Sequence, residues 1–262
     1  MARTSAVPSA APASADPKNV NRCGKPPLRA SNPIVKSRER DALLLMLAAA
    51  SGSADGWSYF GIAHAFVANM TGNTVLLGIS VFQSHGDMLH PFAAIGGYIA
   101  GTALGTLISR RVPEGAIWAP PISWALFIEA LLLLAAEAAW VATGCHPSPR
   151  AGSILLASVA LAIGIQSGAI VQLRIPGVVT TYITGTWTTL TNGLTLLAAR
   201  QPSIRRHESE FERRFALQGI VLGAYFLSAV LTGWAFRHTP ALVGGISAFA
   251  VLGAAGYGAI RN

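Results

Sequence analysis

Two carboxylic acids stand inside long apolar stretches of this chain, Asp55 within residues 41–62 and Glu129 within 120–142. A carboxylate at membrane depth costs about 2.5–3.5 kcal/mol on insertion scales and faces a polar interior, where it can carry a proton or meet a cation. Both are therefore candidates for ion coupling. The competing reading of Asp55 is an acid held by Ser51, Ser58 or backbone groups freed around Gly52 and Gly56. For Glu129 it is a neutral, hydrogen-bonded carboxyl that joins helices. Glu137 lies about 80° further round the same helix and near its end, so it reads as a snorkelling, solvated side chain.

A second set of candidates is uncharged. Ala68-Asn69-Met70-Thr71-Gly72-Asn73 and Thr181-Tyr182-Ile183-Thr184-Gly185-Thr186 read as distant copies of one motif, 113 residues apart. Glycine, threonine and asparagine weaken a lipid-facing helix or carry groups that hydrocarbon cannot satisfy, so they suit backbone that lines a cavity. Asn69, Thr71, Gly72, Asn73, Thr181, Thr184, Gly185 and Thr186 are accordingly expected to bind a small polar solute, converging with Asp55 and Gln166. Gln166 occupies about the place in the second half that Asp55 occupies in the first; its plainer role is a bond between helices. Eight threonines crowd 178–199, and their hydroxyls can also bond back to helix carbonyls. Pro176-Gly177 ends the preceding helix, and the N-terminus that follows, beside Arg174, would favour an anion.

No metal or cofactor site is expected. His85 and His90 flank Asp87 without zinc-ligand spacing, and no phosphate loop, dinucleotide fingerprint, nucleophile elbow or metalloprotease motif is present. Without a readable Ser-His or Cys-His arrangement the chain is not expected to be an enzyme.

The elements that must position these residues are membrane helices. With 52% hydrophobic and 11% charged residues and a mean hydropathy of +0.49, the chain departs from the roughly 25% charge of soluble domains. Apolar stretches at 41–62, 65–83, 92–109, 120–142, 152–173, 178–199, 215–236 and 241–260 approach or reach the roughly 20 residues a bilayer span needs. Gly97-Tyr98-Ile99-Ala100-Gly101 with Gly105 has the spacing of closely packed membrane helices. The bilayer is thus the first partner, and no nucleic acid is expected despite a net charge of +8. Residues 1–40 carry eight of the basic residues among Ala, Ser and Pro, which predicts a disordered basic tail before a transmembrane domain over 41–260. Its length argues against a signal peptide at 43–54. Cys23 and Cys145 give no disulfide framework.

Basic residues collect in cytoplasmic loops, which places the tail inside. If all eight stretches cross, 15 basic residues fall inside and 4 outside; if 65–83 and 178–199 dip in and return, the division is 17 and 2. The second arrangement is favoured. It predicts an all-α bundle of about six transmembrane helices in two related halves, about 41–142 and 152–260. Each half then has an odd number of spans, so the halves are inverted repeats with re-entrant motif segments, a plan recurrent in transporters. The alternative is eight spans with parallel repeats.

The chain resembles the YoaK-like family of bacterial integral membrane proteins. The likeness rests on Gly52-Ser53-Ala54-Asp55 with Tyr59, Phe66-Val67-Ala68-Asn69-Met70-Thr71-Gly72-Asn73 with Leu76-Leu77-Gly78, Ala162-Ile163-Gly164-Ile165-Gln166, and Val179-Thr180-Thr181-Tyr182-Ile183-Thr184-Gly185-Thr186. Ser167 stands where the resemblance leads one to expect Asn, and Trp57 replaces a small residue. The resemblance implies a multipass fold in the bacterial inner membrane and no established activity. The residues themselves point to a secondary carrier or channel for a small polar solute, coupled to protons through Asp55 or Glu129; the rival is a non-transporting scaffold or accessory protein.

Overall fold

The computed structural model describes residues 33–82, 88–113, 116, 118–173, 183–199 and 208–261, with the side chains of 33–37, 208–211, 214 and 261 outside that description. Every element among the described residues is helical. Residues 33–40 of the tail expected over 1–40 are helical; the rest of that tail, His85, Asp87, Arg174 and Thr181 lie outside the described residues.

Helix α1 (Pro33–Trp57) opens on a proline suited to a first helical position and then runs through strong helix formers, Ala42 to Ala50. It passes into a π-helical turn (Ser58–Ala63) that stops at His64, whose φ of 50° is left-handed. The chain reverses there, and Tyr59 stacks on Phe66 with ring centres 5.2 Å apart. Then follow α2 (Met70–Ser80), α3 (Leu89–Ser109), α4 (Pro120–Ala142), α5 (Pro149–Val171), α6 (Ile183–Ala198), α7 (Glu208–His238), a single 3-10 turn (Pro240–Leu242) and α8 (Val243–Arg261). The α4–α5 hairpin turns on Gly144 and Cys145, both at positive φ. Ser148 restarts the chain by accepting the Ala151 amide at 3.4 Å ahead of Pro149.

Among the described residues five stretches are long and apolar enough to cross a membrane: α3, α4, α5, Phe215–His238 of α7, and Pro240–Ile260. Helix α1 has the length, but Arg38, Glu39, Arg40 and Asp41 fill its start and Asp55 its end. Residues 50–57 are all buried, so this helix packs within protein rather than lipid. The apolar stretch at 65–83 yields the 11-residue α2, about 16 Å at 1.5 Å per residue, well short of the roughly 30 Å hydrocarbon core.

Contacts fix the helix directions. Asp41 meets Arg213 at 2.5 Å, Ser53 accepts from Thr232 at 2.9 Å, and Gly56 lies against Ala229 and Thr232, so α1 and α7 run parallel. Gly97, Gly101 and Gly105 of α3 lie on the backbone of Ala157, Leu161 and Ile165, so α3 and α5 also run parallel. At these glycines a Cβ would strike a backbone carbonyl, and its absence lets the helices touch. Helices α4 and α8 run antiparallel: the Trp140 indole donates to Pro240 O at 2.8 Å and the Gly244 amide to Glu137 Oε2 at 2.9 Å, while Gly258 at the far end sits by Trp118 and Ser123. Met46 beside Gly253 and Trp57 beside Gly244 make α1 antiparallel to α8. The six long helices therefore alternate in direction along the chain.

Candidate functional site

The π turn carries the chain past the end of α1 and the reversal at His64 brings it back. Asp55 catches it there. Its Oδ1 accepts the backbone amides of Val67 and Ala68, both at 2.7 Å, and its Oδ2 accepts the hydroxyl of Tyr225 from α7. The residue is 4% exposed, and hydrogen bonds to a charged group contribute about 1.5–3 kcal/mol each. Asp55 thus pins the returning loop of the first half to a helix of the second.

The loop then launches α2. Asn69 caps it, its Oδ1 accepting the Gly72 amide at 3.2 Å. Asn73, fully buried, grips Phe66 twice: its Nδ2 donates to Phe66 O at 2.6 Å and its Oδ1 accepts from Phe66 N at 2.9 Å. Gly72 packs against the Phe66 ring. Much of the first motif is spent on folding its own turn.

A cavity of about 440 Å³ opens where the two motifs meet. Asn69, Met70 and Thr71 line it from the start of α2, and Ile183 and Thr184 from the start of α6. Tyr98 and Thr102 of α3, Ser167 and Val171 of α5, and Tyr225 of α7 complete the wall. Of the expected site residues, Asn69, Thr71 and Thr184 line this space, and Asp55 touches it through Tyr225. Gly72, Asn73, Gly185 and Thr186 stand behind it or along the helices. Gln166 points to α1, donating to Ser51 Oγ at 3.1 Å and Leu47 O at 3.3 Å. Glu129 lies apart in α4, 0% exposed, with no hydrogen-bond partner for either oxygen among the described residues. A second groove of about 460 Å³ between α4 and α8 is almost wholly apolar, bordered by the exposed Trp124 and Phe127.

Two readings change. Glu137 holds the first turn of α8 through Gly244 N, a favourable place for an acid at a helix N-terminus, instead of a purely solvated role. In α6, Thr188, Thr189 and Thr195 bond back to the carbonyls of Thr184, Gly185 and Thr191 at 2.8–3.1 Å, so half-exposed hydroxyls there satisfy the helix itself.

Sequence reading missed Tyr98, Thr102, Ser167 and Tyr225. A signal existed: Gly96-Gly97-Tyr98-Ile99-Ala100-Gly101 and Gly223-Ala224-Tyr225-Phe226-Leu227-Ser228 match in type. Their places match too. Gly164 and Gly168 of α5 lie against Tyr98 and Thr102 as Gly52 and Gly56 of α1 lie against Tyr225 and Ala229.

Large apolar side chains cover the outside of the long helices, among them Phe92, Leu107, Trp124, Ile154, Phe226 and Phe249. A soluble surface does not carry apolar area on that scale. This is a multipass helical membrane protein. The chain belongs to the family described as "Protein of unknown function (DUF1275)", whose model matches residues 43–257. It is 28% identical over 200 residues to the UPF0700 transmembrane protein YoaK of Bacillus subtilis (strain 168), covering 75% of this chain and 84% of that protein. No solved structure matches it.

Proposed function

We propose that the protein is a secondary carrier or channel for a small polar solute, built from two inverted repeats with six crossing helices, α1, α3, α4, α5, α7 and α8. The observation that carries this reading is the cavity shared by both motif segments and walled by helices of both halves. The repeat is supported by exchange symmetry: replacing each of α1 to α4 by its counterpart among α5 to α8 turns the α1–α7 packing into the α5–α3 packing. It also leaves α4 against α8. Counterparts α1 and α5 run in opposite directions, as inversion requires. Helices α2 and α6 are too short to cross and rise from the cavity instead, the interrupted element common at transporter sites.

The basic-residue count supports a cytoplasmic N-terminus, and the family resemblance supports the bacterial inner membrane. Of the two candidate acids, Asp55 is occupied by three donors, which leaves Glu129 as the group available to a coupled proton. The scaffold reading draws on a specific observation, the use of Asn69, Asn73 and Asp55 in internal bonds. Water access separates the two. In a chain with Cys23 and Cys145 replaced by serine, Thr71→Cys and Thr184→Cys should react with a membrane-impermeant thiol reagent, each at least from one side. Inert cysteines at both positions would leave the scaffold.

A further inference from the structure

The closest packing in the molecule joins helices of different halves. Gly97, Gly101 and Gly105 of α3 lie on carbonyls of α5, while Gly164 and Gly168 of α5 lie on the carbonyls of Tyr98 and Thr102, so the two helices interlock from both sides. Along α1 and α7 the contact runs from Asp41 with Arg213, through Gly52 on Tyr225 O and Ser53 with Thr232, to Gly56 on Thr232. Backbones this close have no slack, and parting either pair forfeits contact along most of its length. Each pair therefore moves as one body, and each takes one helix from either half of the chain.

The other two long helices divide between these bodies. Ala125 of α4 clusters with Ile165 and Ala169 of α5, and α8 meets α1 at Met46 and Trp57. Helices α4 and α8 are tied to each other through Trp140 with Pro240 and Glu137 with Gly244. The cavity lies between the bodies: Tyr98, Thr102, Ser167 and Val171 come from α3 and α5, and Tyr225 comes from α7. Two contacts also cross from one body to the other. Gln166 of α5 donates to Ser51 Oγ and Leu47 O of α1, and a Cβ on Gly152, at the start of α5, would lie 3.5 Å from Ile62 O in the π turn.

We infer that the moving parts of the carrier are the crossed pairs, α1 with α7 and α3 with α5, and not the two sequence halves. They rock about the α4–α8 seam and the Gln166 bridge, and the cavity opens to the face where α1 ends when Ile62 leaves Gly152. Closure of packed bodies about a retained seam is an established kind of switching motion. This inference rests on the carrier reading and names the motion that serves its site.

The test uses the full chain with Cys23→Ser, Cys145→Ser and Thr71→Cys, labelled with an impermeant maleimide on intact cells and on inverted vesicles. Two cysteine pairs are added separately and oxidised with copper phenanthroline. Ile62→Cys with Gly152→Cys ties one body to the other; Ser53→Cys with Thr232→Cys ties α1 to α7 within one. Without either pair, position 71 should label from both faces. The oxidised 62–152 pair should abolish labelling from the face where α1 ends and leave the opposite face reactive, whereas the oxidised 53–232 pair should change neither. Labelling from both faces despite the 62–152 disulfide, or its loss with the 53–232 disulfide, would overturn the crossed bodies. Failure of either pair to oxidise would refute the contacts that define them. Labelling from one face only in the untied chain would remove the rocking and leave the carrier reading standing, and an inert position 71 would count against both.

Discussion

At the scale of single residues, the side chains that looked most like machinery also build the turn they stand on. Asp55 closes a loop, Asn69 starts a helix, and Asn73 holds Phe66 from both sides. Removing the Asp55 carboxylate leaves two buried amides and a hydroxyl without acceptors, at about 1–3 kcal/mol for each unsatisfied group. Asp55→Ala is therefore expected to lower the melting temperature in detergent sharply. Asp55→Asn keeps an acceptor for Val67 and Ala68 but places an NH2 where the Tyr225 hydroxyl had its acceptor, and should cost about 1–3 kcal/mol, less than alanine. An alanine variant that melts with the unaltered protein would refute the pinning role.

The same residues show what sequence could and could not reveal. The polar motif is legible because Asn, Thr and Gly stand out against apolar neighbours. The partners of Asp55 are not, because two of them are backbone amides and the third is a tyrosine 170 residues away. Tyr98 and Tyr225 stayed hidden for a related reason: each sits in an ordinary membrane helix, and only a fold that brings α3 and α7 to one cavity gives them a joint meaning. Glu137 was misread because its partner is the start of a helix more than one hundred residues on.

At the scale of elements, the parallel pairs α1 with α7 and α3 with α5 depend on bare backbone at the crossing. Gly101 lies on the carbonyl of Leu161, whereas Gly96, a helical turn and a half earlier, has open space around its Cα. Gly101→Leu should force α3 off α5, giving aggregated protein on size-exclusion chromatography, while Gly96→Leu should remain monodisperse. Equal behaviour of the two would mean that the close crossing is not what holds the pair. Periodic small residues made this packing legible in sequence, but not which helix they met. The span count was less readable, since the apolar stretch at 41–62 belongs to a helix with charges at its start and Asp55 near its end, and α2 ends after eleven residues.

At the scale of the whole molecule, the two arrangements of spans differ in where the ends of α2 and α3 lie. With six crossings and a cytoplasmic tail, a cysteine at Phe82 should label from the outer face and one at Arg110 from the cytoplasmic face. With eight crossings the two labels exchange sides. The hairpin residue His146 moves with them, labelling from outside in the first case and from the cytoplasm in the second. Impermeant maleimides on intact cells and on inverted vesicles would distinguish these patterns.

The crossed pairing of helices has a consequence for how the chain is made. Asp55 leaves the ribosome 170 residues before Tyr225, a wait on the order of 10–30 s at ordinary synthesis rates. Throughout that interval α1 carries Ser53 and Asp55 without the α7 side chains that receive them, and lipid offers them no substitute. A holding step is therefore expected, in which the translocon or an insertase shelters α1 until α7 arrives. A nascent chain stalled before Glu208 should cross-link to that machinery through position 53, and a chain released at the same point should be cleared by membrane quality-control proteases. Stable accumulation of the released chain would show that α1 finds shelter without α7.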